Sequence, residues 1–253
     1  MSTTPKTEEL SVRSWLARQD LTILLLSVAG GGVDAVIILG FHVLTAAQTG
    51  NTILLAVAFA QGRFSTVVYS AVSVVAYLTG SAVGEVAVLR RKSDSWLSPL
   101  RQGLLAELIL LSGLLMACHV ARPTPSPALI AVLVALAATA MGIQSAAVLQ
   151  IHSSPTTTYV SGTLTTFATK AIRWLHLKAA PRSPARPDPS PRLLSMEGAD
   201  IYGLDWLIYA GGALASALLF LRVHETALVL PIAAVVTAAV AGVRQIDREE
   251  KKQ

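Results

Sequence analysis

Charge is scarce in this chain of 253 residues: 14% are Asp, Glu, Lys or Arg, against 53% hydrophobic. That balance excludes an ordinary water-soluble domain, in which about a quarter of the residues are charged. Cysteine is nearly absent too. Cys118 is the only one, so no disulfide can form within the chain, and no His/Cys group has metal-ligand spacing. Aromatic residues make up 6% and do not interleave with a basic face, so the net charge of +5 does not indicate nucleic-acid binding. No hydrolase or kinase signature is present. Gly30-Gly31-Gly32 precedes Asp34 inside an apolar segment and lacks the strand–turn–helix setting of a nucleotide loop. Neither a cofactor nor an enzymatic activity is expected. Residues 1–20 are mostly polar, and the apolar run after them is too long for a signal-peptide core, so a cleaved signal is not expected.

What the chain does have is long apolar runs, at 21–44, 64–89, 103–120, 128–151, 204–221 and 227–243. A helix needs roughly 20 apolar residues to cross the hydrocarbon layer, so the six runs predict six transmembrane helices. Two further segments, 49–62 and 161–169, are too short to cross and are predicted as half-helices; Lys170, Arg173, Trp174 and His176 close the second. With six crossings, every Lys and Arg except Arg63, Arg122 and Arg222 falls on the side of the two termini. Eight crossings would export the cation-rich loop around Arg90, Arg91 and Lys92. The positive-inside rule therefore favours six, with both termini cytoplasmic in the cell inner membrane.

The predicted fold is an all-α membrane protein of six transmembrane helices plus two half-helices, arranged as two inverted three-span repeats. A cytoplasmic tail (1–20) precedes the first repeat (21–121). The second repeat (128–243) contains a flexible loop at 179–200 with five prolines, and a cytoplasmic tail (244–253) ends the chain. That loop is read as a tolerated insertion in preference to a regulatory element.

The repeat rests on a phrase that occurs twice. Gly32-Val33-Asp34-Ala35 leads to Gln48-Thr49-Gly50-Asn51-Thr52, and Gly142-Ile143-Gln144-Ser145 leads to Ser161-Gly162-Thr163-Leu164. In this register Gln144 is the counterpart of Asp34. Thr49-Gly50-Asn51 and Ser161-Gly162-Thr163 place cap-type residues at helix starts, where unpaired N–H groups and the positive end of the dipole favour an anion. The stretches before them, 41–45 and 156–160, are rich in β-branched and aromatic residues and are predicted to be extended. Short strands leading into half-helices are similar to the architecture of nucleobase and sulfate transporters, a likeness of fold alone.

These two motifs resemble those of the bacterial YoaK family, over residues 20–243. The resemblance implies a multi-pass membrane protein and supplies no substrate. Residues 161 (Ser rather than Thr) and 179–200 (a longer loop) depart from the family pattern as read here.

An ionised carboxylate at Asp34, mid-helix, costs several kcal/mol unless paired or hydrated. It is either a coupling or binding group or a structural carboxyl capping the second half-helix. The candidate site is Asp34, Gln48, Thr49, Gly50, Asn51, Gln144, Thr158, Ser161, Gly162 and Thr163. The leading expectation is a secondary transporter or permease for a small anionic solute; the alternative is a non-transporting scaffold, assembly factor or sensor. The bilayer is the expected partner, nucleic acid is not, and a homo-oligomer is compatible. Elsewhere, Glu85 and Glu107 are expected to pair with Arg90 and Arg101 at the interface, and Asp205 to be solvated. His42 and His152 are expected as interface residues, and Gly80, Gly84, Gly211 and Gly212 as close-packing positions.

Overall fold

The computed structural model describes residues 20–89, 99–121, 125–149, 160–179 and 199–250. Among these the chain is helical: α1 (Asp20–Phe41), α2 (Gln48–Ala60), α3 (Phe64–Leu89), α4 (Pro99–Val120), α5 (Pro127–Leu149), α6 (Val160–Ala179), α7 (Ala199–Val223) and α8 (Val229–Glu250), with a 3-10 turn at His224–Leu228 joining the last two. The loop at 179–200 lies outside the described residues except for its helical edges.

Five segments are long and apolar enough to cross a membrane: Leu21–Phe41, Phe64–Ala87, Leu100–Val120, Pro127–Leu149 and Tyr202–Ala241. Six were expected. The difference arises because α7, the 3-10 turn and α8 form one apolar stretch of 40 residues. At 1.5 Å per residue that is about 60 Å, roughly twice the hydrocarbon thickness. The stretch is interrupted at His224, whose φ of +54° is left-handed. α2 is a short helix of 13 residues, as expected. α6 is longer than expected: its 20 residues run on through Lys170 and Arg173. The extended segment expected at 41–45 is non-helical beyond Phe41 but pairs as no strand.

A helix that is apolar all round belongs inside. α1 and α5 fit this: 72% and 56% of their membrane-length windows are buried, against 28–33% for the other three spans. These two helices form the centre, with Leu26, Val33 and Ile37 of α1 and Val134, Met141 and Val148 of α5 in one core with Leu104, Leu111 and Leu114 of α4.

The pairing of helices is unchanged when the two halves are exchanged. α1 packs on α7 and α8 of the second half, and α5 packs on α3 and α4 of the first. α2 packs on α3 as α6 does on α7, and α1 meets α5 as α4 meets α8. The closest crossings repeat residue by residue. A Cβ at Gly31 would collide with the Tyr209 carbonyl oxygen and at Gly142 with that of Tyr77; each Tyr is followed three residues later by another crossing glycine. A Cβ at Gly80 would collide with the Thr139 oxygen, and one at Gly212 would lie 2.7 Å from the Val28 oxygen.

Gly211, expected as a close-packing position, faces open space, with nothing within 4 Å of a built Cβ. The neighbours therefore make a paired test. Gly212→Ala drives a methyl into rigid backbone and is expected to destabilise by about 1–3 kcal/mol, as overpacking does. Gly211→Ala is expected to be neutral or to stabilise by up to about 1 kcal/mol through helix propensity. Thermal unfolding of both variants in detergent, followed by circular dichroism, checks the pair.

Candidate functional site: the Asp34 centre

α1 ends where His42 adopts φ +60° and donates its N–H to the Ile38 carbonyl at 3.0 Å, a left-handed helix cap. The chain then doubles back, and residues 43–47 run beside the last turns of α1 before α2 begins at Gln48. Non-helical backbone at membrane depth is tolerated only where each polar group finds a partner in the protein. Here residues 44–47 can be followed group by group.

Asp34 supplies one side of that requirement. Its Oδ1 accepts the N–H groups of Thr45 at 2.6 Å and Ala46 at 2.8 Å, and the Thr45 hydroxyl at 3.1 Å. Its Oδ2 accepts the N–H of Ala47 at 3.1 Å and the Tyr209 hydroxyl at 2.8 Å. Five donors on one carboxylate are enough to hold a charge 4% exposed. Ala47 is the N-cap of α2 and has no side-chain cap of its own. A carboxylate from the preceding helix thus sits at the positive end of α2, where a local Ser, Thr or Asp would ordinarily cap.

Asn51 supplies the other side. Its Oδ1 accepts the Leu44 N–H at 2.9 Å while its Nδ2 donates to the Leu44 carbonyl at 2.5 Å, as a neighbouring strand would pair both groups. Ser73 of α3 donates to the same carbonyl at 2.7 Å and accepts from Asn51 at 2.9 Å. Gln48 Nε2 donates to the Thr45 carbonyl at 2.7 Å, and its Oε1 accepts from Asn51 at 2.9 Å. The Ala46 and Ala47 carbonyls accept the N–H groups of Gln48 and Gly50 at 3.1 and 3.0 Å.

The structure therefore brings Asp34, Gln48 and Asn51 together and gives each a partner inside the chain. It does not use Thr49 as a cap: the helix opens one residue earlier and Thr49 is exposed. Gly50 is half-buried, and a Cβ there would run into the Leu44 side chain. The capped helix is the first short helix, not the second. Gln144 is fully buried and donates to the Leu26 carbonyl at 2.9 Å, tying α5 to α1.

Gln144 is also not the counterpart of Asp34. The crossings pair Gly31 with Gly142, so the equivalent of Asp34 is Ser145, one residue further on; Ser145 donates to its own Met141 carbonyl at 2.8 Å. Thr163 is buried and Gly162 half-buried. Thr158 and the Ser161 side chain lie outside the described residues, as does His152.

Sequence reasoning missed Tyr209, which among the described residues is the side chain that joins Asp34 to the second half. A signal was present in Tyr77-x-x-Gly80 and Tyr209-x-x-Gly212, which recur in the two halves. It also misplaced two acids. Asp205, expected to be solvated, is 3% exposed and accepts from Ser27. Glu107, expected to pair at the interface, is fully buried in α4.

Beside the Asp34 centre lies a cavity of about 400 Å³, bounded by Asp34, Tyr209, Ile38, Leu39, Leu44 and Ala217. Its walls are aliphatic, and Ile38 and Leu39 are 38% and 42% exposed on the bundle surface. The space opens sideways, in the direction lipid occupies around a membrane-spanning bundle. Its polar end is the Asp34–Tyr209 pair.

The chain belongs to the family described as "Protein of unknown function (DUF1275)", whose family model matches residues 22–241. No curated protein and no solved structure matches it. Helices of this length and composition make it a membrane protein.

The hydrogen bonds set the expected cost of losing the centre. Asp34→Ala leaves three N–H groups and two hydroxyls without this acceptor and is expected to destabilise by about 3–5 kcal/mol. Tyr209→Phe removes one donor of five and is expected to cost about 1–2 kcal/mol. Thermal unfolding in a mild detergent measures both. Equal stability of Asp34→Ala and the parent chain would contradict the arrangement.

Proposed function

We propose that the chain is a secondary transporter or permease, built of two three-span halves in opposite orientation, that moves a small solute past the Asp34–Tyr209 centre. The 40-residue apolar stretch is read as two crossings separated at His224, which gives six. Support for two crossings comes from the packing of both α7 and α8 on α1. Three crossings per half invert the second half relative to the first, and the exchange of helix pairings between the halves agrees with that symmetry. The cation distribution favours both termini in the cytoplasm, with the chain in the cell inner membrane.

The cavity carries this reading, because it brings an open, solute-sized space to a buried carboxylate whose hydrogen bond from Tyr209 links the two halves. The solute that fits is an uncharged or cationic molecule with an apolar body. An anion was expected from the helix N-termini, but the N–H groups that would meet it already hold Asp34. Aliphatic walls take up the apolar body, and the Asp34–Tyr209 end offers an acceptor to a donor on the solute.

A second reading has its own observation in favour. The polar groups of residues 44–47 are satisfied within the chain, as a structural centre in a scaffold, assembly factor or sensor would require.

Transport separates the two. Proteoliposomes loaded with a mixed pool of small amines, alcohols and carboxylates are expected to release amine or alcohol members selectively, as read by mass spectrometry. Ala217→Phe, which fills the cavity, is expected to abolish that release without lowering the unfolding temperature. No release above empty liposomes by folded protein would end the permease reading and leave the scaffold. Orientation is tested with Gln61→Cys and His176→Cys in a Cys118→Ala background. An impermeant maleimide is expected to label the first from outside and the second only from the cytoplasm.

A further inference from the structure

A second acid lies in the bundle outside the Asp34 centre. Glu107 of α4 is 0% exposed, and neither carboxyl oxygen has a hydrogen-bond partner among the described residues. It falls on the stripe of α4 that carries Leu104, Leu111, Leu114 and Cys118, all of them buried. One turn earlier, a Cβ at Gly103 would lie 3.0 Å from the Ala147 Cβ, so this part of α4 sits hard against α5.

The elements packed on α4 bring it no counter-charge. α5 contains no titratable side chain, and α8 contains none before Arg244. Tyr69, Tyr77 and Glu85 of α3, His224 and Glu225 of the 3-10 turn, and Arg101 and His119 of α4 itself all lie outside hydrogen-bonding reach of Glu107. An ionised carboxylate in such a place carries a desolvation cost of several kcal/mol, which no hydrogen bond among the described residues offsets. Taking up a proton removes the charge and with it most of that cost.

A cavity lies close by on α4, although Glu107 is not among the residues that bound it. Its volume is about 220 Å³, and at the junction of α3, α4 and α5 it is bounded by Gly84, Gln102, Gly103, Ala106, Ile143 and Ala147. Gln102 is exposed, and Ala106 is the chain neighbour of Glu107. The small residues on all three helices leave room there that larger side chains would close.

We propose that Glu107 is a proton-binding site, protonated and uncharged at neutral pH while α4 packs on α5, and deprotonated when that seam opens to the adjoining cavity. Proton binding follows from burial alone. Its coupling to solute movement rests on the permease reading above, and would move the coupling role expected of Asp34 to Glu107.

The test reads protonation directly. Infrared difference spectra between the full chain and Glu107→Gln, both in liposomes at neutral pH, are expected to show the carbonyl stretch of a protonated carboxylic acid in the parent only. Glu107→Leu provides the same comparison with an apolar group if glutamine lowers the yield of folded protein. Absence of the band from the difference spectrum would overturn the proposal. Cys118, on the same stripe, reports opening of the seam. Raising the pH is expected to accelerate its alkylation by N-ethylmaleimide several-fold more in the parent than in Glu107→Gln, which shares the thiol's own pH dependence. Equal acceleration would overturn the release step. Since neither readout involves solute, a proton site that survives alongside inactive proteoliposomes would leave this inference standing and the permease reading fallen.

Discussion

Backbone that leaves the helix inside a membrane must satisfy its own polar groups, and in this protein one carboxylate makes that departure stable. Asp34 gathers three successive N–H groups that would otherwise be unpaired inside the bundle. Asn51 closes the opposite edge of the same loop by pairing with both polar groups of Leu44. Without these contacts residues 43–47 would extend α1 or leave the bilayer, and α2 would have no fixed starting point. The direction of α2, its packing on α3 and the cavity beside Tyr209 all follow from that one turn.

The charge of Asp34 suits this role. A neutral Asn could accept one or two of the five donors, but it would present its own amide hydrogens to the rest. An anion at the start of α2 also meets the positive end of the helix dipole. The cost of burying the charge is thus offset locally, within 13 residues of sequence, and Tyr209 adds a hydrogen bond from the other half.

Much of the architecture was legible in the sequence. Apolar run lengths located the spans, and the duplicated Gly-rich phrase located both first helices. The register between copies was not legible, because Gly30-Gly31-Gly32 offers three candidates and only backbone contact selects Gly31. Aligning Gly32 instead made Gln144 the partner of Asp34, an error of one residue. The acids failed for a different reason. Glu107 was assigned by its nearness to Arg101, yet six residues along a helix is 600°, which puts the two on different faces. Its spacing from Leu104, Leu111 and Leu114 was the better guide. Ser73 could not be singled out, since it does not differ in type from the other Ser residues of apolar helices until the loop is seen resting on it; Tyr209 was legible only as part of the repeated Tyr-x-x-Gly spacing.

The exchanged packing carries a consequence for biogenesis. α1 has its principal helix neighbours in α7 and α8, which are synthesised long after it. Until α7 and α8 have been made, α1 must shelter in lipid or against the insertion machinery with its central glycine surface uncovered, so the packing of α1 waits on theirs.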